Sequence, residues 1–169
     1  GKIYKRFFDV ITSFVLIVII SPILFLTALL ILIDSRGGII FSYQRIGQFG
    51  ESFKYFKFRS MVKNAHQKRF DEDFLKSQEN LRAGTPMIKF KDDPRITRVG
   101  RVIRRFSIDE LPELFNVLIG KMSLVGPRPH EIEEVAKYNS HQKRVLTIKP
   151  GMTGMAQVSG RSDLDFNDE

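Results

Sequence analysis

The stretch VITSFVLIVIISPILFLTALLILI, Val10 to Ile33, decides the architecture. It runs 24 residues without one charge, and 19 of them are apolar. At about 1.5 Å per residue it reaches roughly 36 Å, enough to cross a hydrocarbon core of about 30 Å. The apolar region of a cleaved signal peptide would be shorter, about 7–15 residues. Ser21-Pro22 sits in the middle of the run. Pro22 has no N–H, so the bond to the Val18 carbonyl is lost and a bend is expected. The Ser21 hydroxyl can bond a carbonyl one turn back. Both flanks are basic: Lys2, Lys5 and Arg6 before, Arg36, Arg45, Lys54 and Lys57 after. Positive flanks prefer the cytoplasmic side. Two readings stay open, a kinked span and a helix-break-helix that enters and returns.

Outside residues 1–33 the chain is polar and basic. It has 27 Lys+Arg against 19 Asp+Glu over 169 residues, a net charge of +8 and a pI near 9.8. That length fits one domain. The composition excludes full disorder and an ordinary water-soluble globule, and points to a membrane-bound basic domain. With no Cys, disulfides, thiolate chemistry and Cys-based zinc sites are excluded. Three dispersed histidines, His66, His130 and His141, argue against a His-rich metal site. Nucleic-acid binding, the usual alternative for a basic domain, lacks a recognisable reading motif here.

Working outward, Asp34 to Gly38 reads as a turn. Ile39–Tyr43 and Phe53–Met61 read as strands of a hairpin around a Gly47–Ser52 loop. Lys57 and Arg59 fall on one face of the second strand and project together, which two solvated charges on an edge strand would equally explain. Val62 to Leu81 is helix-compatible, and Arg82 to Pro86 is a break. Residues 89–105 carry Lys89, Lys91, Arg95, Arg98, Arg101, Arg104 and Arg105. Val99, Val102, Ile103 and Phe106 stand at helical spacing opposite arginines, the pattern of a basic amphipathic helix at an interface. Ser107 to Ile119 predicts a helix with one apolar stripe: Leu111, Leu114, Phe115, Leu118 and Ile119. A Pro-ruled loop, Ser123 to His130, and a further helix, Glu131 to Tyr138, follow.

Asp109-Glu110 begins the striped helix and has two readings. In the first, Ser107 and Glu110 form a capping box and Asp109 only favours the helix dipole. Alternatively Asp109 is the cap and Pro112 falls in the first turn, where its missing N–H costs nothing. In the second reading the carboxylate is chemical. Near Arg104 and Arg105 it should stay ionised, hold a divalent ion and be able to attack phosphorus. Adjacent helical residues point about 100° apart, so the two acids would take separate roles.

These residues are similar to those of a known family. Lys5-Arg6-Phe-Phe-Asp9, Ser21-Pro22, Lys57-Phe-Arg-Ser-Met61 and Asp93-Pro-Arg-Ile-Thr97 belong to the pattern. Ser107-Ile-Asp-Glu-Leu-Pro112, Met122-Ser-Leu-Val-Gly-Pro-Arg-Pro129 and Lys149-Pro-Gly-Met-Thr-Gly154 complete it. In this order, over nearly the whole chain, the sequence resembles the bacterial sugar transferases, the monotopic polyprenyl-phosphate phosphoglycosyl transferases.

The resemblance implies an α+β, mainly helical fold. Residues 1–36 would form a re-entrant membrane anchor broken at Ser21 and Pro22. Residues 37–169 would form a catalytic domain on the cytoplasmic face of the bacterial inner membrane, with a small β-hairpin and interfacial amphipathic helices. It implies transfer of a phosphosugar from a UDP-sugar to undecaprenyl phosphate, with release of UMP, as the first membrane step of glycoconjugate assembly. Asp109 would be the nucleophile, forming a covalent phosphosugar intermediate at a magnesium (Mg2+) site, with Glu110 as partner acid. Lys57 and Arg104 would contact phosphate, Arg59 would be a further substrate-binding residue, and Pro127, Arg128 and Pro129 would border the nucleotide. Membrane lipids are further partners, and homo-oligomerisation stays open. The resemblance also implies a membrane-proximal segment after Glu169 and, in larger members, extra membrane helices before this unit. The competing reading is a non-catalytic scaffold that binds anionic lipid. No motif names the sugar.

Overall fold

The computed structural model describes residues 2–65 and 93–154. The helix expected over Val62–Leu81 and the break at Arg82–Pro86 lie almost wholly outside them, as do Lys89 and Lys91. The fold is α+β, with about half of the described residues helical.

Helix α1 spans Lys2–Asp34 and contains Pro22. It is not interrupted at Ser21-Pro22. The carbonyl that Pro22 leaves without its i+4 donor is that of Val18, and the Ser21 hydroxyl donates to it at 2.8 Å. Both ends of α1 dock on the same body. Near the start, the Arg6 guanidinium donates to the carbonyls of Val117 (2.6 Å) and Leu118 (2.7 Å). Buried Asp9 accepts from the Ser123 hydroxyl at 2.8 Å, and Lys5 bridges the same two side chains. Near the far end, Ile31 packs with Phe58 and Ile103. The Asp34 carboxylate accepts from the Val99 N–H at 3.0 Å. Between the docked ends Phe14, Val18, Ile19, Phe25 and Leu26 are exposed.

The hairpin forms, shifted from its expected bounds. Strand β1 (Ile40–Ile46) pairs antiparallel with β2 (Ser52–Phe58), Ile40 opposite Phe58 and Ile46 opposite Ser52. Met61, expected in the second strand, makes only an isolated bridge to Ile96. Phe53 and Tyr55 face inward, joining Val117 and Met122 in one core cluster. Phe58 faces the α1 cluster instead.

Helix α2 (Arg98–Arg105) starts on Thr97, whose hydroxyl accepts from the Gly100 N–H at 2.9 Å. Its expected apolar stripe divides. Ile103 is buried, while Val102 and Phe106 are exposed. The helix expected over Ser107–Ile119 is also divided, into a 3-10 turn at Ile108–Glu110 and helix α3, Glu113–Leu118. Pro112 sits just before α3, where its missing N–H costs no ladder bond. A short parallel pair, β3 (Ser123–Val125) with β4 (Gly151–Thr153), and helix α4 (Ile132–Val135) complete the body. Gly126 and Gly151 let these backbones touch, since a Cβ on Gly151 would fall 2.0 Å from Gly126 N.

Candidate active site

The two acids sit on a turn that differs from both capping readings. Ser107 takes a left-handed conformation (φ 56°), and its side chain does not cap the following turn. Non-glycine residues adopt this conformation at a cost and usually where surrounding structure enforces it. Here α2 ends at Arg105 and the chain reverses into Ile108–Glu110. Ile108 packs on the Ile31–Phe58–Ile103 cluster. That anchor leaves Asp109 and Glu110 to face β2. Asp109 is buried and Glu110 partly so.

Lys57 comes from β2 on the Phe53–Tyr55 face. Its ammonium lies 2.7 Å from Glu110 Oε1 and 3.8 Å from Glu113 Oε1. Glu113, on the first turn of α3, is almost fully buried and accepts from the Tyr55 hydroxyl. Two carboxyl groups therefore meet one lysine, which also acts electrostatically on Asp109. Burial works to lower the Lys57 pKa, but Glu110, Tyr43 and Glu113 outweigh it and hold the ammonium charged. Burial pushes the Asp109 carboxyl above its ordinary range, and Glu110 adds to this, while Lys57 and Arg104 oppose it. The expectation that arginines alone keep Asp109 ionised thus understates burial. For Glu113 burial dominates and lifts the pKa to about 8.

The other expected site residues distribute as follows. Arg104 is exposed and acts electrostatically on both Asp109 and Asp93. Arg105 instead lies over the Phe106 ring at 5.9 Å. Arg59 does not project beside Lys57. It is buried, and its guanidinium donates to the Arg36 carbonyl (2.9 Å) and the Ser35 carbonyl (2.7 Å) at the end of α1. Pro127 and Arg128 line a recess with Ile46, Gly47, His130 and Pro150, which includes no residue of the acidic turn. Buried Pro129 follows. This loop is fixed to the hairpin by the Ile46 N–H, which donates to the His130 carbonyl at 3.0 Å. Buried Arg45 supports it by pairing with Glu131 (3.0 Å) and Glu134 (3.5 Å). Burial, then Arg128 and Arg45, pull the His130 pKa down to about 4, so its ring is neutral near pH 7.

Asp109 could hold a metal only in part. Among the described residues no three His, Cys, Asp or Glu side chains converge as a cage. A single carboxylate still fits magnesium, which commonly takes one or two carboxylates and completes its shell with water and substrate phosphates. Sequence reasoning overlooked Tyr55, Glu113 and Asn116. Tyr55 was detectable as the neighbour of Lys57 on one strand face, and Glu113 as the residue one helical turn after Asp109.

A membrane-length apolar helix, a Lys–Glu pair and a buried aspartate thus share one small body. Its matches to known proteins run along nearly the whole chain. The sequence model described as bacterial sugar transferase matches residues 1–169. The chain is 44% identical over 168 residues to the undecaprenyl-phosphate galactose phosphotransferase of Salmonella typhimurium, covering 99% of this chain and 35% of that protein. It is 40% identical over 170 residues to the exopolysaccharide production protein ExoY of Sinorhizobium fredii, covering 98% and 73%. It is 41% identical over 172 residues to the undecaprenyl-phosphate glucose phosphotransferase of Komagataeibacter xylinus, covering 98% and 30%. The chain spans about a third of the length of the first and third of these relatives. With the family pattern matched from end to end around this site, the chain belongs to the bacterial sugar transferase family.

Proposed function

We propose that the chain transfers a phosphosugar from a UDP-sugar to undecaprenyl phosphate, through a covalent intermediate on Asp109. The carrying observation is the arrangement of the acids: Glu110 is held by Lys57, while buried Asp109 stands on an enforced turn beside them. A carboxylate oxygen of Asp109 attacks the phosphorus that bears the sugar. The bond to the bridging oxygen breaks and UMP leaves. A phosphate oxygen of the lipid then attacks the same phosphorus, releasing Asp109 and giving the polyprenyl diphosphate sugar. Bound magnesium, held by Asp109 together with donor phosphates, would neutralise diphosphate charge. Arg104 adds to that neutralisation, and the Pro127–Arg128–Pro129 loop borders the nucleotide.

The anchor is read as re-entrant. Both docked ends of α1 meet one body, and the exposed apolar middle needs a bilayer. Exposed Val102 and Phe106, with Arg101 and Arg105, suit the headgroup layer. Residues 1–36 then anchor a catalytic domain to the cytoplasmic face of the inner membrane. There it would perform the first membrane step of exopolysaccharide or capsule assembly.

UMP release is measured from a panel of UDP-sugars with undecaprenyl phosphate and magnesium. Asp109→Asn should abolish it, and wild-type turnover in that variant removes Asp109 as nucleophile. Liposome binding without any donor turnover across the panel favours the scaffold reading instead.

A further inference from the structure

Glu113 is a buried acid that this chemistry leaves unused. It is 2% exposed, and removing a carboxyl group from water is costly unless it is bonded or neutralised. Its partners are specific. Tyr55, itself 5% exposed, donates its hydroxyl to Glu113, and the Lys57 ammonium stands 3.8 Å away. That ammonium is closer to Glu110, at 2.7 Å, and 5.4 Å from the Tyr55 ring centroid. Lys57 is a flexible side chain with four rotatable bonds, so its position needs walls. Glu113 and Tyr55 stand close enough to supply them.

We propose that Glu113, braced by Tyr55, is a positioning residue that fixes Lys57 against Glu110 and so sets the geometry of the acidic turn. This rests on the reading of Asp109 and Glu110 as the reacting acids. The proposal explains how Glu110 and Glu113 share one lysine. The groups facing Glu113 are Tyr55 and Lys57 from β2 and Asp109 and Glu110 from the turn, with Tyr43 of β1 behind Tyr55. Were Glu113 ionised, it would compete with Glu110 for the one ammonium. Burial keeps it protonated to about pH 8, which leaves Lys57 to Glu110 at neutral pH. A glutamine at this position keeps the size and one donor and cannot ionise.

The test uses the membrane-embedded chain with magnesium, undecaprenyl phosphate and the best donor from the panel. Glu113→Gln should hold kcat within about threefold of wild type, whereas Glu113→Ala should lower kcat by up to about 100-fold at unchanged donor KM, as expected for misplacement of about 1 Å. Wild-type kcat should fall as pH rises through about 8, and Glu113→Gln should lack that limb. Should Glu113→Ala fail to fold, Tyr55→Phe carries the test. Loss of its donor removes a bond that favours the ionised form, so the alkaline limb should move to higher pH with a reduced kcat. Wild-type kcat in Glu113→Ala, Glu113→Gln as impaired as the alanine variant, or identical alkaline limbs in wild type and Glu113→Gln would each overturn the proposal. Asp109→Asn is run alongside. Full activity there defeats the reading of the acids, whereas an inactive Asp109→Asn with unaffected Glu113 variants defeats the positioning role alone.

Discussion

Asn116 closes the open edge of β2. Its side-chain oxygen accepts from the Phe56 N–H at 3.0 Å, and its nitrogen donates to the Lys54 carbonyl at 2.7 Å. One amide group thus stands where a third strand would pair, and it ties α3 to the strand that carries Lys57. Asn116 is fully buried, so truncation leaves two backbone groups without partners.

Asn116→Ala should cost about 1–3 kcal/mol of stability, the penalty for an unsatisfied buried polar group. Asn116→Asp should cost more, because the Lys54 carbonyl then faces an acceptor. Thermal melting of the detergent-solubilised chain reads both. A melting temperature unchanged in either variant would show that the edge is satisfied some other way.

Arg59→Ala should act on stability, with the donor KM unchanged. Its guanidinium is committed to the carbonyls of Ser35 and Arg36. Charge-assisted bonds of this kind contribute about 1.5–3 kcal/mol each when lost from a buried site. A raised donor KM with normal melting would instead return Arg59 to the substrate.

Stability should depend on pH through Glu113. Its folded pKa of about 8 lies above the ordinary 4.5. The folded state therefore binds more protons than the unfolded state between these values. This contribution is complete below pH 4.5 and is lost as pH rises through about 8. Glu113→Gln should flatten that decline, measured as melting temperature from pH 5 to 9. A parallel decline in both proteins would place the titration elsewhere.

The absence of cysteine allows clean topology labelling. Tyr4 and Phe49 are both well exposed, one near the start of α1 and one at the hairpin tip. Cysteines replacing each should react with an impermeant maleimide from the same side of inverted membrane vesicles. Reaction from opposite sides would make α1 a span.

Much of this was legible in the sequence, and the misreadings have physical causes. The apolar run, the Ser21–Val18 bond and the hairpin followed from local rules: a missing N–H, a nearby hydroxyl and alternating side chains. The Asp109 turn did not. Ser107 with Glu110 matches a capping pattern, yet its backbone is left-handed and the next residue, Ile108, packs on the α1 cluster, a long-range contact that no local rule contains. Periodicity predicted one apolar stripe on α2 and one on α3, and the structure splits both. Phe106, Phe115 and Ile119 are outward, while Glu113 and Asn116 are inside. The stripe is silent on Glu113 and Asn116, because a single sequence does not display the tyrosine and the strand edge that they meet.

Ile31 belongs to two structures at once. It is part of the apolar helix, and it is also 2% exposed between Phe58 and Ile103 of the body. Arg6 and Asp9 make the same commitment at the other end. The apolar helix is thus no interchangeable tether. A chimera carrying a foreign hydrophobic helix would leave Phe58 and Ile103 facing a void, and excising the helix to obtain a soluble fragment would expose them to water. Modular replacement, routine for single-span proteins, should fail here. Any exchange between relatives must carry the helix and its docking surfaces together as one inherited unit.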